Sequence, residues 1–306
     1  MYILKLDAFL KSAIWGGQKL KTEFGFKTDL SNIAEAWVLS CFGGAESAVL
    51  NGEFKGKPLS YALNHFGNSA IGTKHQKGSD FPMLIKIIDA YDNLSIQVHP
   101  DDNYANAIEH CYGKNEMWYI LNADPGANIY YGFNKDITKQ EFEQRIKDGT
   151  LPDVLNKVEV KKGECYYIPA GTIHAINKGV LLAEVQQSSN ITYRVFDYKR
   201  KDKNGNEREL HIKKALDVTV LKKQTDKPST SDILVDCEYF NVKRRRINSP
   251  YMLNVNEDSF VAVLCTAGSV TVNDIPLVFG EACFIPAGFK EEVKIFGNGE
   301  IIESRI

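Results

Sequence analysis

Apolar positions along the chain gather in short runs rather than in long helical stripes. Ala36–Phe42, Met83–Ile88, Leu94–His99 and Met117–Leu121 are rich in β-branched and aromatic residues, as are Cys165–Ile168, Val180–Val185, Phe260–Cys265 and Ala282–Ile285. Such side chains suit a pleated, half-buried surface, so each run is expected to be a strand. Glycine, proline and asparagine interrupt the runs at short intervals, which predicts a sandwich or barrel. Helical patterns are few. Asp101–Cys111 starts acidic and continues with apolar residues at helical spacing, predicting a short helix. Thr138-Lys-Gln-Glu141 reads as a capping box opening a helix over Gln140–Lys147, with a further turn at Pro152–Leu155. Another helix is expected within Glu209–Val220, after the charged loop Lys199–Glu207, where Asn204-Gly205 predicts a turn.

One pattern occurs twice. Gly163-Glu-Cys-Tyr-Tyr-Ile-Pro-Ala-Gly171 returns as Gly280-Glu-Ala-Cys-Phe-Ile-Pro-Ala-Gly288. Both place a turn glycine, a strand and a tight Pro-x-Gly turn in the same order, which implies two related β units. The polar segment Lys222–Ser231 between them reads as a linker. The first copy runs on to His174, whereas the second has Glu291 at the matching position.

Composition narrows the functional classes. The chain has 306 residues, 43% hydrophobic and 25% charged, which is ordinary for a globular protein and long enough for two modest domains. A net charge of -2 offers no basic field for nucleic acid or an anionic membrane. The basic run Lys243–Arg246 reads as a solvated strand face. Met1–Asp7 becomes charged too soon for a signal peptide, and no apolar run reaches the ~18 residues of a membrane span. Six scattered cysteines without a CxxC pair suit reduced thiols and a cytoplasmic setting.

Candidate chemistry lies in three stretches. Gln97 and His99 are two apart on a strand, so both side chains leave one face. Glu116 opens the apolar run after Gly113-Lys-Asn, and His174 ends Pro169-Ala-Gly-Thr-Ile-His. Singly, each could be a satisfied core residue. Together, two imidazoles, one carboxylate and one amide oxygen can hold a divalent ion and leave positions open for substrate. His65, His75, His110 and His211 lack such company and are assigned no chemistry.

Gly-x5-Pro-x-Gly-x2-His resembles the second motif of the cupins, and Gln-x-His with a later Glu resembles a modified first one. In this chain Glu116 lies 17 positions beyond His99, with the expected helix between. That insertion, with Gln97-Val-His-Pro100 and Thr192-Tyr-Arg-Val-Phe-Asp-Tyr198, resembles the type I mannose-6-phosphate isomerases in their short bacterial form. Trp15-Gly-Gly17, Glu35-Ala-Trp37, Ser95, Lys114, Gln186-Gln187 and Arg208–Ile212 match as well, so the likeness covers about residues 5–220 strongly and the rest weakly.

The resemblance implies a mainly β fold of two jelly-roll (cupin) barrels. Residues 1–225 would form the catalytic unit, with a helical insertion at about 100–157, and residues 232–306 a second barrel without metal ligands. It implies one zinc ion per chain on Gln97, His99, Glu116 and His174, with Arg194 as the active-site arginine. The expected reaction interconverts mannose 6-phosphate and fructose 6-phosphate through an enediol. Lys114, its pKa expected to be lowered by the metal, and a metal-bound water are equal candidates for proton transfer. Trp15, Glu35 and Ser95 are placed around the sugar, and Lys86 or Arg194 at the phosphate. Relatives often carry Asp where this chain has Asn190, and an amide cannot act as a base. The rival reading is a non-catalytic sugar-phosphate-sensing cupin. Loss of Lys114 or Arg194 would favour it, and both are present. An iron oxygenase would prefer a more histidine-rich set.

Overall fold

Strands with apolar residues on both faces need a layer on each side, and the architecture is a stack of such layers. The computed structural model describes residues 1–75, 80–201 and 205–306. The expected Asn204 turn therefore lies outside the described residues. A central sheet runs in the order Cys165–Ile168, Glu116–Ala123, Val180–Gln187, Met83–Ala90, Glu35–Leu39 and Phe9–Lys11, all antiparallel. Every residue of Val180–Gln187 and Met83–Ala90 is buried, as in a sheet covered on both faces. Leu182 and Trp118 face a core shared with Ile129, Tyr131 and Ile176. Leu181, Ala183 and Val185 face the opposite core, shared with Phe260, Leu264, Phe284 and Ile302.

The layer on the first side is a smaller sheet ordered Tyr193–Phe196, Ile96–Val98, His174–Ile176, Asn128–Phe133 and Leu155–Glu159. Its outer face is covered by helices Lys139–Asp148 and Ile212–Val218, through Phe142, Ile146 and Ala215. Thr138 caps the first of these, accepting from Glu141 N at 3.1 Å, as its sequence predicts. Leu151–Val154 is a 3-10 turn at the place expected for one. Helix Leu59–Phe66 is an element the sequence reading omitted.

The layer on the other side is a nine-stranded sheet whose main path joins Ile233–Asp236, Asn241–Ile247, Val293–Arg305, Val261–Val272, Ala282–Ile285, Leu4–Asp7 and Ala48–Val49. Leu4 pairs with Phe284 and Leu6 with Val49, so sheet membership crosses the expected division at the linker. None of the three sheets closes on itself. The fold is thus mainly β, as expected, and is built of open sheets packed face to face. The linker is pinned: Cys165 and Ser229 exchange both backbone hydrogen bonds at 2.8 Å. The basic run is also not a uniformly solvated face. Alternation exposes Arg246 but buries Arg244, which donates from Nη2 to Thr230 O at 2.7 Å and grips the linker.

Candidate metal centre and substrate cleft

The three ligand stretches meet because the helical insertion closes on itself. The strand ending at Val98 delivers His99, and Asp101 then caps helix Asp102–Ile108 by accepting from Tyr104 N. The chain returns at Gly113, where a Cβ would lie 2.4 Å from the Asp101 backbone, so only glycine permits the approach. Gly113 N donates to Asp102 Oδ1 and Lys114 N to Pro100 O, which sets Glu116 beside His99 despite their separation. Asn115 is held from the other side, donating from N and Nδ2 to Gln187 Oε1 at 2.9 and 2.8 Å. The Pro-Ala-Gly turn is pinned by Gly171 N donating to His99 O, and delivers His174 directly opposite Gln97.

The ligand atoms of His99, Glu116 and His174 lie within 4.8 Å of one another, and all three residues are buried. His99 Nε2 is 3.6 Å from Glu116 Oε2, and His174 Nε2 is 3.4 Å from Glu116 Oε1. His174 Nδ1 donates to Thr172 O at 2.8 Å, which fixes the tautomer and turns the Nε2 lone pair into the cluster. Gln97 Nε2 is 3.4 Å from the same nitrogen; a half-turn of the amide presents Oε1 instead. Neither oxygen of Glu116 accepts a well-aligned hydrogen bond. Buried acceptors converging in this way fit a cation. Protonation of the two imidazoles is suited to ligation as well. Burial holds His174 down to about 4, and burial with the Lys114 charge holds His99 well below the ordinary imidazole value, so both rings are neutral near pH 7.

Over this floor opens a cleft of about 380 Å³. Its lining includes Trp15, Glu35, Lys86, Ser95, Gln97, Lys114 and Arg194, so the structure brings every predicted substrate and catalytic residue to one place. Lys114 Nζ is 2.8 Å from Glu116 Oε2 and 3.3 Å from His99 Nε2. Burial alone would lower its pKa, but Glu116, Glu184 and Glu35 outweigh burial and hold the ammonium above the ordinary lysine value. The expected lowering depends on the charge of a bound metal, which these carboxylates oppose. Lys86 Nζ is 3.1 Å from Glu184 Oε1 and lies over the Trp37 ring, whose Nε1 donates to Glu35 Oε2. Arg194, opposite Gln97 in the register, donates from Nε to Ser95 Oγ at 3.2 Å. Trp15 belongs at once to the core and to the cleft wall. Asn190 lines the same cleft.

Sequence reasoning missed Glu184, Arg208 and His211. Glu184 links the two lysines and accepts from Trp118 Nε1 at 3.0 Å. Burial disfavours its charge, but Lys86 and Lys114 prevail and keep the carboxyl ionised. The available signal was a single carboxylate inside the apolar run Val180–Val185. His211, assigned no chemistry, lines the cleft with Arg208 and touches the Arg194 backbone. A larger cleft of about 860 Å³, between Leu63, Phe81 and Tyr112, contains none of the ligand residues.

Similarity to known proteins gives the family. A family model described as phosphomannose isomerase type I, catalytic domain, matches residues 3–129, and one described as mannose-6-phosphate isomerase, cupin domain, matches residues 230–306. The mannose-6-phosphate isomerase of Streptococcus mutans is 39% identical, over 98% of this chain and 97% of the relative. The enzyme ManA of Bacillus subtilis, of the same description, is 36% identical over 97% and 96%. The crystal structure of mannose 6-phosphate isomerase from Bacillus subtilis superposes with a TM-score of 0.89 at 34% identity, covering 100% of both chains. The chain belongs to the type I phosphomannose isomerases.

Proposed function

We propose that this chain is an aldose–ketose isomerase that interconverts mannose 6-phosphate and fructose 6-phosphate in the cleft above His99, Glu116 and His174. The observation that carries the reading is the convergence of these three buried ligands beneath a wall of Lys114, Glu184, Lys86 and Arg194. Zinc, one ion per chain, fits two neutral imidazoles, a carboxylate and the Gln97 amide. Bound there, it supplies Lewis acidity that polarises sugar oxygens. The chain's own residues supply the rest. Lys114, charged and buried, can hand a proton to a sugar oxygen or steady its negative charge. Arg194 carries a planar, permanently charged fork suited to the same oxyanion. Glu35, Ser95 and Trp15 offer hydrogen bonds and an apolar face to the sugar. Lys86, 3.1 Å from Glu184 Oε1 at the metal end of the cleft, is read as a positioning residue there.

We read residues 1–225 as the catalytic unit and 232–306 as its packing partner, supported by the core that Leu181 and Val185 share with Phe260 and Phe284. The central and small sheets, facing one another across Trp118 and Ile129, are our candidates for the two halves of a jelly roll. A cytoplasmic setting is proposed on six cysteines that are all free. No helix among the described residues is long and apolar enough to cross a membrane.

The test is a coupled assay with mannose 6-phosphate before chelation, after it, and after zinc is restored. Turnover should vanish and return. Tight binding of the sugar phosphate without any turnover would favour a sensing protein instead.

A further inference from the structure

The cations of the cleft are divided between two ends. At the metal end Lys114 and Lys86 are each paired, with Glu116 at 2.8 Å and Glu184 at 3.1 Å. At the other end the small sheet runs out past Arg194, and Arg208 and His211 complete the wall. Asp197, buried at 6% exposure, accepts from Arg208 Nε at 2.7 Å and Nη2 at 2.6 Å, a two-point grip that fixes the guanidinium plane. Arg200 Nη2 reaches the same carboxylate at 2.5 Å. Gripped through Nε and Nη2, Arg208 keeps Nη1 without a hydrogen-bond partner among the described residues. His211 is fixed in a similar way. Its N donates to Arg194 O at 2.7 Å, and its Nδ1 accepts from Arg194 N at 3.2 Å. A ring that accepts at Nδ1 carries its proton on Nε2, so it offers one neutral donor.

We propose that Arg208 Nη1 and His211 Nε2 form the seat of the substrate's phosphoryl group, and that Asp197 is the residue that positions Arg208 for it. This rests on the sugar-phosphate reading above and adds the residues that hold the phosphate. A hexose 6-phosphate carries its phosphoryl group at the far end of the sugar from C1 and C2, so the two ends need separate seats. Arg194 stands between them, its strand paired to Gln97 on one side and its backbone to His211 on the other. The electrostatics favour an anion here. Arg194, Arg208 and His211 line the same end of the cleft, so two permanently charged guanidinium groups face one space. Guanidinium forks match phosphate oxygens better than any other side chain.

Two measurements on the metal-loaded protein test the seat: binding of inorganic phosphate by calorimetry, and KM and kcat for mannose 6-phosphate. In Arg208→Gln both the phosphate Kd and the KM should rise, by roughly tenfold or more, as for one lost charge-assisted contact, while kcat and metal content hold. Asp197→Asn should shift the same two quantities less. Arg208→Lys, which keeps the charge and guards against misfolding, should fall between wild type and Arg208→Gln. An unchanged phosphate Kd in Arg208→Gln overturns the seat, and so does a loss confined to kcat, which would place Arg208 on the reacting atoms. The two readings fail separately. Phosphate binding that depends on Arg208 in a protein without isomerase activity would remove the proposed function and keep the seat. Normal KM in Arg208→Gln would do the reverse.

Discussion

Residues 163–171 and 280–288 follow the same path through the molecule, yet only one copy ends in chemistry. Each opens on a glycine in the left-handed region, Gly163 at φ 89° and Gly280 at φ 87°, runs through a buried strand, and turns at Gly171 or Gly288. The difference lies in what each strand faces. Ile168 of the first copy pairs with Glu116, while the matching Ile285 pairs with Val261. The position after the first turn is His174, fully buried in the ligand cluster. The position after the second is Glu291, exposed ahead of the last strand. Inside the second unit, Val261, Val263, Cys265 and Val272 fill the space with apolar side chains. The turn is therefore scaffold. The donor atoms that meet His174 come from His99 and Glu116 elsewhere in the chain, and a repeat of the turn does not carry them along.

The sharpest break of this comparison is His174→Ala. Losing even an outer partner of a metal ligand typically costs about 10–100-fold in affinity or activity, so losing the ligand itself should exceed that. Bound metal should fall below stoichiometry by elemental analysis. Stability should drop by only about 1–3 kcal/mol, because the deletion orphans Thr172 O but leaves the sheets intact. Full metal occupancy in this variant would remove His174 from the site.

A subtler test uses the glycines, since the two copies predict opposite rankings at their two ends. An alanine Cβ at position 171 would lie 2.9 Å from Val218 O, and one at position 288 would meet only Glu257 Cγ at 3.3 Å. At the opening turn the order reverses. Position 280 is blocked by Phe24 Cδ1 at 2.2 Å, whereas position 163 is clear to 3.8 Å. All four sit at positive φ, which costs alanine roughly 1–2 kcal/mol. Gly171→Ala and Gly280→Ala should lose a further ~1–3 kcal/mol from overpacking, read by urea denaturation. Only Gly171→Ala should also reduce turnover of the folded protein, because Gly171 N anchors His99 O. Equal losses at all four positions would mean that φ strain alone decides.

The same contrast explains what could be read in advance. Glu116, 17 positions beyond His99, rested on the family resemblance, whereas Gln97, His99 and His174 could be singled out because their spacing is local, two on one strand face and one three residues past its turn. The cap at Thr138 and the strands Cys165–Ile168 and Ala282–Ile285 were legible for the same reason. Glu184 was not, because its partners Lys86 and Trp118 lie 98 and 66 residues away and are joined to it only by strand pairing. Nor was the addition of Leu4–Asp7 to the C-terminal sheet, since an alternating strand does not name its neighbour. Arg208 and His211 sit outside any periodic element, and their roles depend on where Asp197 and Arg194 arrive.

The smallest expected effect concerns Glu291. If the turn alone made a ligand site, Glu291→His would restore one. We expect it not to, with the metal-to-protein ratio unchanged from wild type, stability within about 0.5 kcal/mol as for an ordinary surface change, and turnover unaltered. One imidazole brings one ligand, and an open zinc site needs three. Cys265 and Cys283 are buried among the apolar side chains of the second unit. Burial pushes their thiols up, Cys265 to about 11 and Cys283 to about 12, so neither is a thiolate near neutral pH. Burial in the first unit works the other way, because it lowers the histidine values and leaves both rings neutral and ready to bind. The same physical cause thus keeps the imidazoles of one interior neutral and the thiols of the other protonated. A second equivalent of zinc bound by Glu291→His, measured on protein purified without chelator, would show that the turn carries more of the site than its partner strands do.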